Sequence, residues 1–278
     1  MKRTSILFVL AFILLAGCKQ ESKDSRDFAT QTISGKQCYQ MIFDKEKDPW
    51  GIDFNTKVTY SVAWPNEGLL SPSALRELQY LYFMDSTSSF DEARKNWLAM
   101  SFFYEDEFDC EKKAVDSIDE ASDYSYMNLE GTYTEDSMLA TFIITTESFI
   151  YGAAHGMYSL EYLTIDKEGG NAIHLADLVT DTNLLCEAIA HAIQDLDVNG
   201  DTRECLFDEF RNANRMPMPQ NFVIDSARNS ITVIYGLYEI TPYACGIQEV
   251  NLPIFWLSKH VPLTPYAKRL FGEGCSID

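Results

Sequence analysis

Hydrophobic and polar positions along this chain follow two periods, and the periods fall in separate blocks. "KQCYQMIF" and "KVTYSVAW" are rich in β-branched and aromatic residues and predict two strands joined by the polar link "DKEKDPWGIDFNT". "LSPSALRELQYLYF" changes the period. Leu75, Leu78, Leu81 and Tyr82 recur at helical spacing, Ser71 is placed as an N-cap and Pro72 as the first helical residue. A second helix is predicted from Ser89 through Met100, with acidic residues in its first turn. Residues 104–123 are acidic and polar and are expected to be an exposed connection.

Strand-like runs dominate the middle. "EGTYTE", "MLATFIITTE" and "MYSLEYLTID" alternate or stay apolar over strand length, with a turn at Asp166-Lys167-Glu168-Gly169-Gly170. "IHLADLV" follows. From about Asp181 a helix would align Leu185, Ile189, Ala192, Ile193 and Leu196 on one face. "NFVID", a turn at Arg228-Asn229-Ser230, "ITVIYG" and "VNLPIFWL" complete the pattern. Pro253 marks an edge or strand-end position, because proline cannot donate to a ladder. Helices and largely consecutive strands without βαβ repetition predict an α+β fold, an antiparallel sheet packed with helices.

The N-terminus has a different character. Lys2 and Arg3 precede an apolar run, Ile6 to Leu15, too short for the ~20 residues of a bilayer-spanning anchor. It ends in Leu15-Ala16-Gly17-Cys18, which resembles the lipobox of bacterial lipoproteins. The resemblance implies a signal peptide over 1–17, cleavage before Cys18, and thioether lipid plus acyl (palmitate-type) chains on that cysteine, enough for stable membrane anchoring. Lys19 after the cysteine resembles sorting signals for the outer membrane, which places the protein in the cell envelope. Residues 18–32 are polar and read as a flexible tether. The folded part is then expected as an N-terminal α+β portion, 33–126, and a C-terminal domain, 127–278.

A hydrophobic content of 46% is ample for a packed core. Loss of Lys2 and Arg3 with the signal peptide takes the net charge from −20 to −22. That acidity excludes nucleic acid and adhesion to anionic lipid, and favours solubility or attraction of a strongly basic partner. Besides Cys18 there are Cys38, Cys110, Cys186, Cys205, Cys245 and Cys275, an even number suited to disulfides in an exported protein. The expected pairs are Cys186 with Cys205 and Cys245 with Cys275, leaving Cys38 with Cys110. No CxxC spacing suggests a zinc knuckle or a redox dithiol.

Catalytic motifs are absent from the sequence. There is no GxSxG elbow, no HExxH, and no phosphate-binding or dinucleotide glycine pattern. Asp195-x-Asp197-x-Asn199-Gly200 repeats the first half of an EF-hand loop, but Leu206 stands where the closing carboxylate belongs. A helix end running into an Asn-Gly turn explains the same letters, so neither metal nor cofactor is expected.

Two stretches stand out. Gly152-Ala153-Ala154-His155-Gly156 holds a histidine in a permissive turn between strands, and "YGLYEITPYACG" gathers Tyr238, Glu239 and Tyr243 around Thr241-Pro242. Together, "GAAHG … YLTID … IHLADL" and "NFVID … ITVIYGLYEITPYACG" resemble, in order and spacing from Met127 to Leu257, the RsiV-like group of domains of unknown function. Ala153 stands for the group's second glycine and Thr241 for its usual alanine.

The resemblance implies an extracytoplasmic α+β binding module. In the anti-sigma factor of the group it implies direct sensing of lysozyme. The sigma-binding segment, spanning helix and deacetylase domain of other members have no counterpart here. The expected function is therefore a non-catalytic envelope lipoprotein that binds a lysozyme-like basic protein or a peptidoglycan glycan through His155, Tyr238, Glu239 and Tyr243. The alternatives are an envelope hydrolase using His155 and Glu239 as acid and base, or a purely structural lipoprotein. His155 itself reads first as a structural pin between two strand connections.

Overall fold

The computed structural model describes residues 28–99, 110–118, 124–195, 200–225, 227 and 229–272. Residues 1–17, expected above to be a signal peptide, Cys18, the middle of the EF-hand-like run and Cys275 lie outside the described residues.

Strands β1 (Thr30–Phe43) and β2 (Phe54–Pro65) pair antiparallel as one long hairpin. Helices α1 (Pro72–Phe83) and α2 (Phe90–Leu98) follow. Ser71 accepts from the Ala74 N–H and Ser89 from the Glu92 N–H, so both helices start at the predicted caps. The chain then forms β3 (Cys110–Val115), β4 (Tyr124–Glu135), β5 (Leu139–Phe149), β6 (Met157–Asp166) and the short β7 (Asn171–Ala172). These make one seven-stranded sheet in the order β3-β1-β2-β4-β5-β6-β7.

One face of that sheet packs on α1 and α2. Val58, Tyr60, Val62, Leu129, Phe142, Ile144 and Ile165 from alternate strand positions meet Leu78, Tyr82, Phe83 and Trp97. Burial of each such side chain is worth roughly 1.5–3 kcal/mol, which holds the helices to the sheet. The Tyr82 hydroxyl donates to Ala63 O at 2.9 Å, so its polar end is satisfied inside the core.

The rest of the chain forms a second layer beside β6. It contains α3 (Leu175–Leu178), α4 (Thr182–Asp195), α5 (Gly200–Cys205), α6 (Asp208–Arg211), β8 (Asn221–Asp225), β9 (Ser230–Tyr235), β10 (Gln248–Pro253), α7 (Ile254–His260) and α8 (Pro265–Leu270). β10, β9 and β8 form a three-stranded sheet in that order. Leu185, Ile189 and Ile193 of α4, the predicted apolar face, are buried in one core with Ile231, Val233, Val250 and Leu252. Asn221 of β8 bridges the layers: its side chain accepts from the Tyr162 N–H and donates to Leu160 O, capping the edge of β6 that β7 is too short to cover.

The α+β class is as expected, with several corrections of detail. The large sheet is mixed, because β4 runs parallel to β2 across the helical connection. Part of the expected loop 104–123 is the edge strand β3, paired with β1; its charged residues Glu111, Lys112 and Lys113 suit an edge rather than a loop alone. "IFWL" belongs to α7, and Pro253 ends β10 and precedes that helix. The expected tether is ordered at its end: Phe28 is 3% exposed against Tyr133 and Phe142, and β1 starts at Thr30. The expected boundary at 126/127 falls inside β4, so the seven-stranded sheet crosses it.

The disulfide pairing also differs. Cys205 bonds Cys245, with Cα atoms 6.1 Å apart, because the segment after α5 docks on the tyrosine-rich turn through the bond from Phe207 N to Ile240 O. That excludes Cys186 with Cys205 and Cys245 with Cys275. Cys186 is instead buried on α4, its thiol 3.8 Å from the Met218 sulfur. Cys38 and Cys110 stand opposite Val115 and Phe43 in the β1–β3 register, ~17 Å apart along the strands, too far to bond. Among the described residues no helix is long and apolar enough to cross a membrane.

Candidate binding site

The two stretches singled out in the sequence meet in space. His155 sits in the β5–β6 turn, where Gly152 takes a positive φ of 85° that a side chain would strain. Tyr243 opens a single 3₁₀ turn, Tyr243–Cys245, just before β10. The His155 imidazole stacks on the Tyr243 phenol with ring centroids 3.8 Å apart and planes 20° from parallel. His155 Nδ1 lies 2.9 Å from Gly156 O, which assigns the proton to that nitrogen. Nε2 is then the acceptor for the Tyr238 hydroxyl at 3.3 Å.

Tyr238 is held in a conformation that tyrosine disfavours. It has φ of 64° in the turn Gly236–Glu239, a position suited to glycine. The turn is closed from both sides: the Glu239 N–H donates to Gly236 O at 3.2 Å, and Glu239 Oε2 accepts from the Gly236 N–H at 2.8 Å. Backbone strain of this kind costs on the order of 1 kcal/mol and collects at functional sites.

Residues that the sequence reading did not single out complete the surface. Cross-strand register sets Glu147 against Tyr158, and Tyr126 against Phe149, on the outer face of the large sheet. Tyr126 stacks on Phe149 and donates to Glu147 Oε1 at 3.2 Å, while Tyr158 meets Tyr243 edge to face. Burial, followed by the nearby Glu147 charge, raises the Tyr126 pKa. A shallow groove of about 600 Å³ runs between the sheets, lined by Thr145, Glu147, Tyr158, Leu160, Gly246 and Glu249. Gly246, at φ 71°, is required there: a β-carbon would sit 2.9 Å from the Tyr158 hydroxyl.

The groove is acidic as well as aromatic. Glu147 and Glu249 line it; Glu161, on the opposite face of β6 from Tyr158, is half-buried, and its pKa is raised by burial first and by the Glu239 charge second. Among the described residues no lysine or arginine pairs with Glu147, Glu161, Glu239 or Glu249. The expected histidine–glutamate couple is not formed: His155 is engaged by Gly156 and Tyr238, and Glu239 by Gly236. In the EF-hand-like run, Asp195 ends α4 and Gly200 opens α5. Among the described residues no three His, Cys, Asp or Glu side chains converge as a metal site.

Residues 176–254, from α3 to the start of α7, match the DUF3298 family of proteins of unknown function. That agrees with the resemblance read in the sequence, and the matched segment includes Tyr238, Glu239 and Tyr243 but not the His155 turn. A DUF3298 family member from Bacteroides fragilis is similar over 88% of this chain and 98% of its own, at 17% identity and a TM-score of 0.56. A DUF3298 family protein from Pseudomonas aeruginosa is similar over 87% and 97%, at 15% identity and a TM-score of 0.51. At these identities the likeness shows a shared fold. No curated protein matches the chain.

Proposed function

We propose that this DUF3298 protein is a non-catalytic binding module of the cell envelope, lipid-anchored through Cys18, whose ligand is a basic protein of the lysozyme type. The observation that carries this reading is the ring cluster of His155, Tyr238, Tyr243 and Tyr158, with Glu239 next to Tyr238 in the chain and Glu147 and Glu249 lining the groove. Aromatic faces attract lysine and arginine, and carboxylates that no lysine or arginine among the described residues neutralises complement the same charge. The net charge of −20 extends that attraction to long range.

Placement supports an anchored receptor. Phe28, where the described chain begins, packs on Tyr133, whereas the ring cluster lies at the Tyr126 end of the same strand, about 24 Å away. A lipid on Cys18 would hold the opposite end of the sheet, leaving the groove facing outward, and Lys19 favours the outer membrane.

A hydrolase is the weaker reading, since the groups it would use as acid and base are each occupied with a different partner. The test is binding of lysozyme and of muropeptides to the purified protein at low and high salt. Saturable, salt-sensitive binding of lysozyme that is lost in Tyr243→Ala supports the proposal. Muropeptide binding alone would move the ligand to glycan, and cleavage of peptidoglycan would overturn the non-catalytic reading.

A further inference from the structure

Opposite Phe28, the same end of the large sheet carries a second exposed feature. Trp50, in the link between β1 and β2, is 90% exposed and its neighbour Ile52 is 62% exposed. Tryptophan normally buries most of its ring, so a large apolar side chain presented this fully calls for a partner.

The link is not a slack loop. Asp44 accepts from the Glu46 N–H at 3.0 Å, and Asp48 accepts from the Trp50 and Gly51 N–H groups at 3.2 and 3.0 Å. Asp53 accepts from the Phe43 N–H at 3.1 Å and from Lys45 at 3.0 Å. Gly51 lies flat on the Phe43 ring, where a β-carbon would sit 2.6 Å from it, and the tip therefore turns Trp50 outward. An anchor already held in place loses little freedom on binding.

The tip is also built into the groove's support. Phe43 meets Phe54 at 6.1 Å between centroids, Phe54 stacks on Tyr151 at 6.1 Å, and Tyr151 opens the turn that holds His155. Between β2 and β6 lie three strand spacings, about 14 Å, well within one standard interface of roughly 800 Å² per partner. Charge agrees across the surface. Lys45 and Lys47 pair with Asp53 and Asp44, while Glu46 and Asp48 have no cationic partner among the described residues.

We infer that the β1–β2 tip is a second contact for the basic protein partner, with Trp50 as the anchor that enters an apolar hollow on it. This rests on the groove reading given above. It adds an apolar element to an interface that the groove alone would make mainly electrostatic.

The test uses the full chain and lysozyme as the basic protein probe, with Trp50→Ala, Trp50→Phe and Tyr243→Ala compared by equilibrium binding at several salt concentrations. Trp50→Ala is expected to weaken binding at least about 10-fold, the scale of an interface hot spot. Trp50→Phe should restore part of it. In both, the salt dependence and the thermal midpoint should stay at wild-type values, because the lost contact is apolar and exposed in the free protein. If Trp50→Ala binds within about two-fold of wild type while Tyr243→Ala loses binding, the inference fails and the groove reading stands. Absence of lysozyme binding by the wild-type protein overturns both.

Discussion

The imidazole of His155 rests on the phenol of Tyr243, 3.8 Å from ring centre to ring centre, and so joins the β5–β6 turn of the large sheet to the turn before β10 of the small one. Stacked rings of this kind contribute about 0.5–1.5 kcal/mol beyond area burial. His155→Ala should therefore lower the thermal midpoint by about 2–4 °C, on the order of 1 kcal/mol, and weaken ligand binding as Tyr243 loses its support. An unchanged midpoint in a thermal melt would argue against the pin.

Tyr238 gives the complementary case. Its φ of 64° stores strain that glycine would relieve. Tyr238→Gly should leave the unfolding free energy within about 0.5 kcal/mol of wild type, because relief offsets the lost contact to His155, yet lower the affinity for a basic ligand. A clear loss of stability with affinity retained in the binding titration would mean that the tyrosine serves the fold.

Glu161 predicts a pH effect. Burial and the Glu239 charge raise its folded-state pKa, so the folded protein holds that proton more tightly than the unfolded chain does. The stabilisation is complete below the unfolded value of about 4.3 and disappears as pH rises through the raised folded value. Glu161→Gln keeps the uncharged state. It should raise the melting temperature at neutral pH and give no gain at pH values below the ordinary carboxylate range. Equal effects on melting at both pH values would contradict this assignment.

The Cys205–Cys245 bond closes a separation of 40 residues and ties α5 to the turn carrying Tyr243. Chain entropy alone gives such a closure about 4 kcal/mol. Cys245→Ser, or reduction of the wild type, should cost about 2–4 kcal/mol in denaturant unfolding, and reduction should add nothing to the mutant. A full additional loss on reducing Cys245→Ser would point to another bond.

Much of this structure is legible in the residue pattern. β6 is the predicted "MYSLEYLTID", and α1, α2 and α4 begin where Ser71, Ser89 and Asp181 mark their starts. The failures have physical causes. β3 was hidden because the charges that protect an edge strand resemble those of a loop. "IFWL" has too few residues to reveal its period. In the site, His155, Tyr238 and Tyr243 emerged from a two-part motif. Glu147, Tyr158 and Tyr126 did not, because strand register brings them together and no single-strand pattern carries register. The disulfide was illegible for a similar reason: six cysteines permit 15 pairings, and only docking of α5 on the tyrosine turn selects one.

In the proposed function, the ring-and-carboxylate groove takes a basic protein. Titration of lysozyme against the wild-type protein and Tyr243→Ala at low and high salt tests it most directly. The wild type should bind saturably, more weakly as salt rises, and Tyr243→Ala should lose most of that binding with its fold intact. Binding that is indifferent to both salt and Tyr243, or no binding at low salt, would contradict it.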